Sequence, residues 1–509
     1  MYKLKPFLLF LIPILLACVY ASLTYSSLNV QRLVNMDRTL SLLSIHQAQD
    51  FQAWSGVFSR YHFRHLGPFH FYYLALVDNF LDFIPNMHAR ARWGALFFNT
   101  CALSGAFFIL AHYFKFGSLL LLLSTFLIAT SKWIGLYFAD YWNPNFVPTL
   151  SLLFISLLMA LLSEGRSFIQ THNRNNVRKL LLALSFATLI AEVLIQIHIG
   201  VALVVSGLYL FILLKTFFML RRVITFKQIL PYLLITFGIS CFLWLPVIYD
   251  AFVFDNFGNL GRIFSFFQQP REKIPFQLAV SYFIKYLSNT TFIKGHIYQI
   301  LSITLFCLGL ISSFHILINK KFSKNTKETA LIFLYFVLLV LFSIMQVSGV
   351  YMLYMMAMGY LLLPLAIFVL SLWIDFYLEK KRKLHLCITG CYFTLFFIVV
   401  YFYPVKQFPR RSSELQTRVE QTINKIDFQD DSVYHFQFSS PAPYKYVSRV
   451  ILEVSLQGKT ICVDEKWGYR YGDALRCDYL KKTNKYDDYR IQRIEFFYTK
   501  DGSVDFIRK

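Results

Sequence analysis

Of 509 residues, 57% are hydrophobic, 18% aromatic and only 15% charged, against about a quarter charged in a soluble globular chain. The mean hydropathy of +0.50 and repeated apolar runs of about 18 residues or more mark a polytopic helical membrane protein. A net charge of +22 would suggest nucleic acid for a soluble chain, but here basic loops beside membrane helices account for it, so no nucleic-acid partner is expected.

In chain order, the first apolar run, 7–28, is too long for a signal-peptide core and lacks a small-residue cleavage site, so it reads as a retained helix. Next comes FRHLGPFHFYYLALVDNFLDFIP, residues 63–85, which opens like a turn into a membrane helix but carries Asp78 and Asp82. Further apolar runs fall near 93–114, 118–138, 146–163, 180–197, 200–218, 228–248, 297–318, 328–347, 351–378 and 386–403. Between them lie four basic clusters: Arg166/Arg174/Arg178/Lys179, Arg221/Arg222/Lys227, Lys320/Lys321/Lys324/Lys327 and Lys380/Lys381/Arg382/Lys383. If 69–85 crossed the bilayer, parity would put all four outside. If it does not, all four fall inside with Lys3 and Lys5, at the cost of leaving Arg90 and Arg92 outside. Each aspartate would also cost about 3 kcal/mol at a helix centre. The segment is therefore predicted as a juxtamembrane helix, apolar side in lipid and acids toward water.

The resulting fold class is an all-α polytopic membrane module, 1–403, with eleven spanning helices, followed by a small soluble α+β domain, 404–509. Its N-terminus is expected in the cytoplasm, and the tail in the periplasm or outside the cell. External loops are expected over 29–90 and 249–296. No GxxxxGK[ST] loop occurs, so nothing in the chain suggests coupling to ATP.

Residues with chemistry collect on the predicted outer face. The first loop holds Asp37, Asp50, Arg60, His62, Arg64 and His65, with Arg90 and Arg92 at its far end. FADYWNPN supplies Asp140, Tyr141, Trp142 and Asn143, and AEVLIQIHIG supplies Glu192, Gln196 and His198. DAFVFDNFGNLGR adds Asp250, Asp255, Asn259 and Arg262. Each alone has a structural explanation: a solvated acid, a snorkelling arginine, an interfacial aromatic. Together they suit group transfer from an anionic lipid. Arginine grips phosphate through a fork of donors, and a carboxylate takes the proton of an attacking hydroxyl.

The motifs themselves resemble a known family. HLGPFHFYYLA resembles the HPPL/HPGPL-type element of GT-C glycosyltransferases, the protein O-mannosyltransferase and aminoarabinose-transferase-like families. In that fold a long first external loop carries juxtamembrane helices and a catalytic aspartate upstream of the element. Asp37 precedes His65 by 28 residues and is the positional match, with Asp50 as the second candidate. ARARWGALF resembles the family's arginine-starting second helix, which implies Arg90 or Arg92, beside His65, at the donor phosphate. Asp140 resembles the second acidic position. DYWNPN, QIH and WLPVIYD…GNL resemble a less characterised bacterial branch, with Arg64, Trp142, Asn143, His198, Asn259 and Arg262 as substrate-binding candidates. The likeness covers residues 1–265. It departs from the pattern in reading His-Leu-Gly-Pro, and in placing Arg38 rather than an acid after Asp37.

The resemblance implies a glycosyltransferase of the cytoplasmic (inner) membrane that moves a hexose or pentose from a polyprenyl-phosphate carrier to a cell-envelope glycan, lipid or protein. A divalent metal stays open. The alternative is a transporter or flippase of lipid-linked saccharides, which would show internal repeats and polar residues at mid-membrane.

In the tail, SVYHFQFS, VILEVSLQ and KTICVDEKW read as strands around a helix-prone 412–426. Cys462 and Cys477 are spaced to close a disulfide worth about 3 kcal/mol in the chain-entropy account.

Overall fold

The computed structural model describes residues 4–29, 36–51, 53, 56, 67–84, 86–129, 138–141, 143–171, 174–221, 225–254, 257–268, 275–289, 296–346, 359–377, 421–428, 432–438, 447, 450–452, 454–455, 457, 459, 461–463, 490–498 and 504–508. Among the described residues fourteen α-helices precede a small sheet: α1 Leu4–Asn29, α2 Met36–Gln49, α3 Phe69–Phe80, α4 Met87–Leu110, α5 Phe116–Ala129, α6 Val147–Thr171 and α7 Arg174–Ile197. They continue as α8 Ala202–Leu220, α9 Phe226–Tyr249, α10 Gly258–Gln268, α11 Phe276–Asn289, α12 His296–Ile318, α13 Lys324–Gln346 and α14 Leu362–Tyr377. Among the described residues 7 helices are long and apolar enough to cross a membrane, in α4, α6, α7, α8, α9, α12 and α13, and shorter apolar helices lie in α1, α5 and α14. The chain is a multi-pass membrane protein. Ten of the eleven expected apolar runs coincide with these helices, and the last, 386–403, lies outside the described residues.

Contacts divide the chain into two units, one of residues 1–25, 95–242 and 270–407, the other of 26–94, 243–269 and 408–509. The second unit thus gathers the first loop, much of the second loop and the tail, the segments that charge parity places outside.

Within the first unit, two ring contacts decide the course of residues 30–86. Phe10 near the start of α1 meets Phe108 near the end of α4, with centroids 6.1 Å apart. Ten residues further on, Tyr20 meets Phe138 at 5.8 Å, and the Phe138 carbonyl accepts from Asn99 Nδ2, nine residues before Phe108, at 2.9 Å. The two helices therefore run antiparallel, and the segment joining them leaves and returns on the same face. Inside that segment α2 has 14 residues and α3 has 12, about 21 and 18 Å against a hydrocarbon core of about 30 Å. Neither helix is long enough to cross by itself.

Side-chain contacts also gather the basic loops at one end of this unit. Tyr113 after α4 donates to Glu164 near the end of α6 at 2.8 Å. Arg166, two residues on, pairs with Glu328 at the start of α13 at 2.7 Å, and Lys215 near the end of α8 approaches the same carboxylate at 3.6 Å. At the same ends, Ser118 of α5 bonds Asp375 of α14, and Trp373 of α14 donates to His315 Nδ1 of α12 at 2.7 Å. The helix pair α12–α14 packs without room to spare, since a Cβ on Gly309 would lie 2.7 Å from the Ala366 carbonyl oxygen. Gly309→Val is expected to push these helices apart and lower stability by about 2 kcal/mol, read as thermal unfolding in detergent.

In the second unit the tail folds as a four-stranded sheet in the order β2-β1-β3-β4, with β1 Ser432–Phe438, β2 Ile461–Val463, β3 Arg490–Tyr498 and β4 Val504–Arg508. β1 pairs parallel with β2 and β3, and β3 pairs antiparallel with β4. Phe436, Phe438 and Phe496 pack on one another, Phe436 on Phe496 at 5.0 Å and Phe438 on Phe496 at 5.4 Å. SVYHFQF and ICV form strands as expected. VILEVSLQ does not: residues 450–452 and 454–455 are helical. Two parallel strands need a crossover, usually helical, and Val447, Val450, Ile451 and Val454, all fully buried, carry the i, i+3, i+4, i+7 spacing of a helix face rather than the alternation of a strand. The β3–β4 hairpin has no counterpart in the sequence reading. Of the helix-prone 412–426, only 421–423 are helical among the described residues. Cys462 is disulfide-bonded, and Cys477 lies outside the described residues.

Candidate functional site

The first loop folds around one buried ion pair. Arg90 Nε donates to Asp78 Oδ1 at 2.6 Å and its NH2 to Asp78 Oδ2 at 3.2 Å, while NH1 caps the Ile84 carbonyl at 2.7 Å. The carboxylate side chain is 5% exposed and the guanidinium 18%. From α2, Gln49 Nε2 adds a third donor to Asp78 Oδ2 at 2.6 Å, and His46 Nδ1 meets Gln49 Oε1 at 3.1 Å. Tyr73 of α3 donates to the Gly94 carbonyl of α4 at 2.9 Å. A Cβ on Gly94 would press Leu74 and Val77 at 3.0 Å, so glycine lets α3 lie close against α4. These contacts join α2, α3 and the start of α4 into one layer.

This alters the expectation for α3. Its Leu76 and Phe80, with Phe83 beyond its end, form an exposed apolar stripe at i, i+4, i+7, and Asp82 is exposed, as an interfacial helix requires. Asp78, expected to face water, is instead buried against Arg90, because a charge at that depth is tolerated only with a partner. Arg90 in turn is not a free phosphate fork, since all three of its nitrogens hold α3 and the following turn. Arg92, two residues further, lies about 200° around α4 and is 4% exposed. Burial pushes the Tyr72 hydroxyl on the same layer up to about 12, so the phenol stays neutral.

Asp37 sits in the first turn of α2 and Asp50 just beyond its last residue, exposed. Twelve residues of helix separate Asp37 from Gln49, an axial distance of about 18 Å. Asp37 thus lies at the other end of α2 from the residues that meet the ion pair, Gln49 directly and His46 through Gln49. Elsewhere in this unit Asp250 and Asn259 are buried and Arg262 is exposed. Arg64, His65 and Trp142 lie outside the described residues.

The first unit carries a separate buried polar layer. Thr149 Oγ1 donates to Asn99 Oδ1 at 2.6 Å while Asn99 Nδ2 holds the Phe138 carbonyl. Asn143 Nδ2 donates to the Ile197 carbonyl at 2.8 Å, and His198 Nδ1 accepts from Gly200 N at 3.2 Å, capping the turn before α8. Asp140, Asn143 and His198 are 5%, 2% and 1% exposed. Asn143 and His198 therefore spend polar groups on fixing the loops around Asp140. Among the described residues no group of three His, Cys, Asp or Glu side chains is placed to hold a metal ion.

Sequence reasoning missed His46, Gln49, Asn99 and Thr149, which carry no motif. The Asp78–Arg90 pair left one trace, an acid and a base 12 residues apart on either side of a proline in the sequence.

No family model matches the chain, and no curated protein matches it. Among solved structures it resembles the crystal structure of ArnT from Cupriavidus metallidurans bound to undecaprenyl phosphate. That match has 11% identity and a TM-score of 0.40, and covers 95% of this chain and 92% of that one. At that identity and score the likeness carries no argument about this chain.

Proposed function

We propose that the chain is a glycosyltransferase that takes a sugar from a polyprenyl-phosphate carrier at the outer membrane–water boundary and passes it to a hydroxyl of a cell-envelope acceptor. The observation that carries this reading is the rigid layer of α2, α3 and the start of α4, bolted by Asp78, Arg90 and Gln49. Such a layer suits chemistry on a lipid headgroup, which needs reacting groups held fixed at the membrane surface. Because the basic loops share one end of the helical unit, the positive-inside rule assigns that end to the cytoplasm and the first loop to the outside. Cysteine labelling of the intact membrane should therefore find exposed position 50 accessible from outside and exposed position 178 only from inside. The reverse pattern would remove the site from the face where it is placed.

With Arg90 committed to Asp78, the donor phosphate, which leaves as the sugar's anomeric bond breaks, falls to another cation of the outer face. Asp140, held in its own buried layer, is kept as a second acidic position, and any metal would be a matter for the loops around it.

One observation favours the transporter reading. Ser240 of α9 donates to Glu192 of α7 at 2.6 Å, Ser185 bonds Thr236 at 2.8 Å, and Thr188 meets Tyr209 at 2.5 Å, a polar seam inside spanning helices. The two readings separate cleanly in vesicles. A transferase consumes radiolabelled polyprenyl-phosphate sugar and moves the label out of the lipid fraction, whereas a transporter moves the lipid across the bilayer with its sugar intact.

A further inference from the structure

The ion pair of the first loop does more than fasten helices, because it fixes the proton position on a histidine that the sequence did not single out. Asp78 bonded to a guanidinium is a carboxylate and only accepts, so the atom of Gln49 that approaches its Oδ2 at 2.6 Å is the amide nitrogen. That nitrogen also lies 3.4 Å from Asn79 Oδ1, a second acceptor. The other end of the amide, Oε1, is then the atom 3.1 Å from His46 Nδ1, and a carbonyl oxygen only accepts. His46 must therefore carry its proton on Nδ1, which leaves Nε2 as the basic nitrogen of the neutral ring. The ring is half-buried on α2, and exposed Asp50 follows one helical turn later, at the i+4 spacing that puts two side chains on one face. A base oriented through its second nitrogen by a carboxylate-anchored group is how imidazoles are prepared for proton transfer.

We propose that His46 Nε2 is the general base of the outer-face site, with Gln49, Asp78 and Arg90 as positioning residues. The proposal rests on the transferase reading and names the proton acceptor within it. In the step, the acceptor hydroxyl oxygen forms a bond to the sugar's anomeric carbon while the bond from that carbon to the phosphate oxygen breaks. The bonding pair leaves with the polyprenyl phosphate. The hydroxyl proton passes to His46 Nε2 and from there to the released phosphate, which restores the neutral ring. Asp37, nine residues earlier and about 14 Å along the helix, takes no part in this step.

The test uses the full chain in lipid nanodiscs, with polyprenyl-phosphate sugars extracted from a strain lacking the protein as donor and that strain's envelope fraction as acceptor. His46→Ala should lower transfer by about 10²-fold, and added imidazole should restore part of the loss, which a packing role would not allow. Gln49→Leu should lower kcat about tenfold with the donor KM unchanged, because it frees the ring without touching the carrier. If His46→Ala fails to fold, His46→Gln with and without imidazole gives the same readout. An active wild type with His46→Ala above half its rate overturns His46 as base and leaves the transferase reading standing. A folded wild type that moves no sugar from any carrier in the extract overturns both.

Discussion

Arg90→Met is expected to destabilise the protein by about 3 kcal/mol or more, since it strands the Asp78 carboxylate, 5% exposed, with the Gln49 amide as a neutral donor in place of a cation. Asp78→Asn should cost less, because Arg90 is 18% exposed and keeps the Ile84 carbonyl. The informative variant is the double one. Asp78→Leu with Arg90→Met removes both charges and both desolvation penalties, and such replacements recover most of the stability lost by the single change. Thermal unfolding in detergent reads all three. The pair also separates two roles for Arg90. If the guanidinium binds donor phosphate, as the sequence motif alone suggests, the double variant is stable yet weak in donor binding. If Arg90 is the bolt that the structure shows, donor KM recovers along with stability.

The second large effect lies at the basic end of the helical unit. Glu328 is 13% exposed, accepts from Arg166 at 2.7 Å and faces Lys215 at 3.6 Å. Glu328→Leu leaves the Arg166 guanidinium, 12% exposed, with Asn325 at 2.8 Å and the Leu162 carbonyl at 3.3 Å, a cost of about 3 kcal/mol. Lys215 is 30% exposed and at longer range, so Lys215→Ala should cost under about 1 kcal/mol. Raising the salt concentration should weaken the Lys215 contribution and leave that of Arg166 nearly intact, because screening reaches exposed charges first. Equal losses for Glu328→Leu and Lys215→Ala would contradict a buried α6–α13 bolt.

The fold was legible in the sequence where a single physical bias acts over many residues. Apolar length marked ten helices, and the sign of four loops argued against a spanning α3, which the structure shows as a helix of only 12 residues despite its aromatic-rich opening at Phe69. The site was less legible, because a buried ion pair has no period. Nothing in VDNF distinguishes Asp78, turned inward to Arg90, from Asp82 four residues later, turned outward. Spacing to His65 pointed to Asp37, but spacing along the chain carries no information on which end of α2 meets the ion pair. The chemistry gathered there, His46 and Gln49, is visible only once α2 is laid on α3. In the tail, the β-branched content of VILEVSLQ argued for a strand, and only the parallel pairing of β1 with β2 shows why a helix must stand between them.

The claim that the outer layer transfers a sugar from a lipid carrier is tested most directly by mass spectrometry of polyprenyl-phosphate sugars and envelope glycans in cells with and without the gene. The account predicts that one polyprenyl-phosphate sugar accumulates in the deletion strain while one sugar substituent disappears from the envelope, and that the wild-type chain, but not His46→Ala, reverses both. Unchanged lipid-linked sugars together with an intact envelope glycan profile would contradict it.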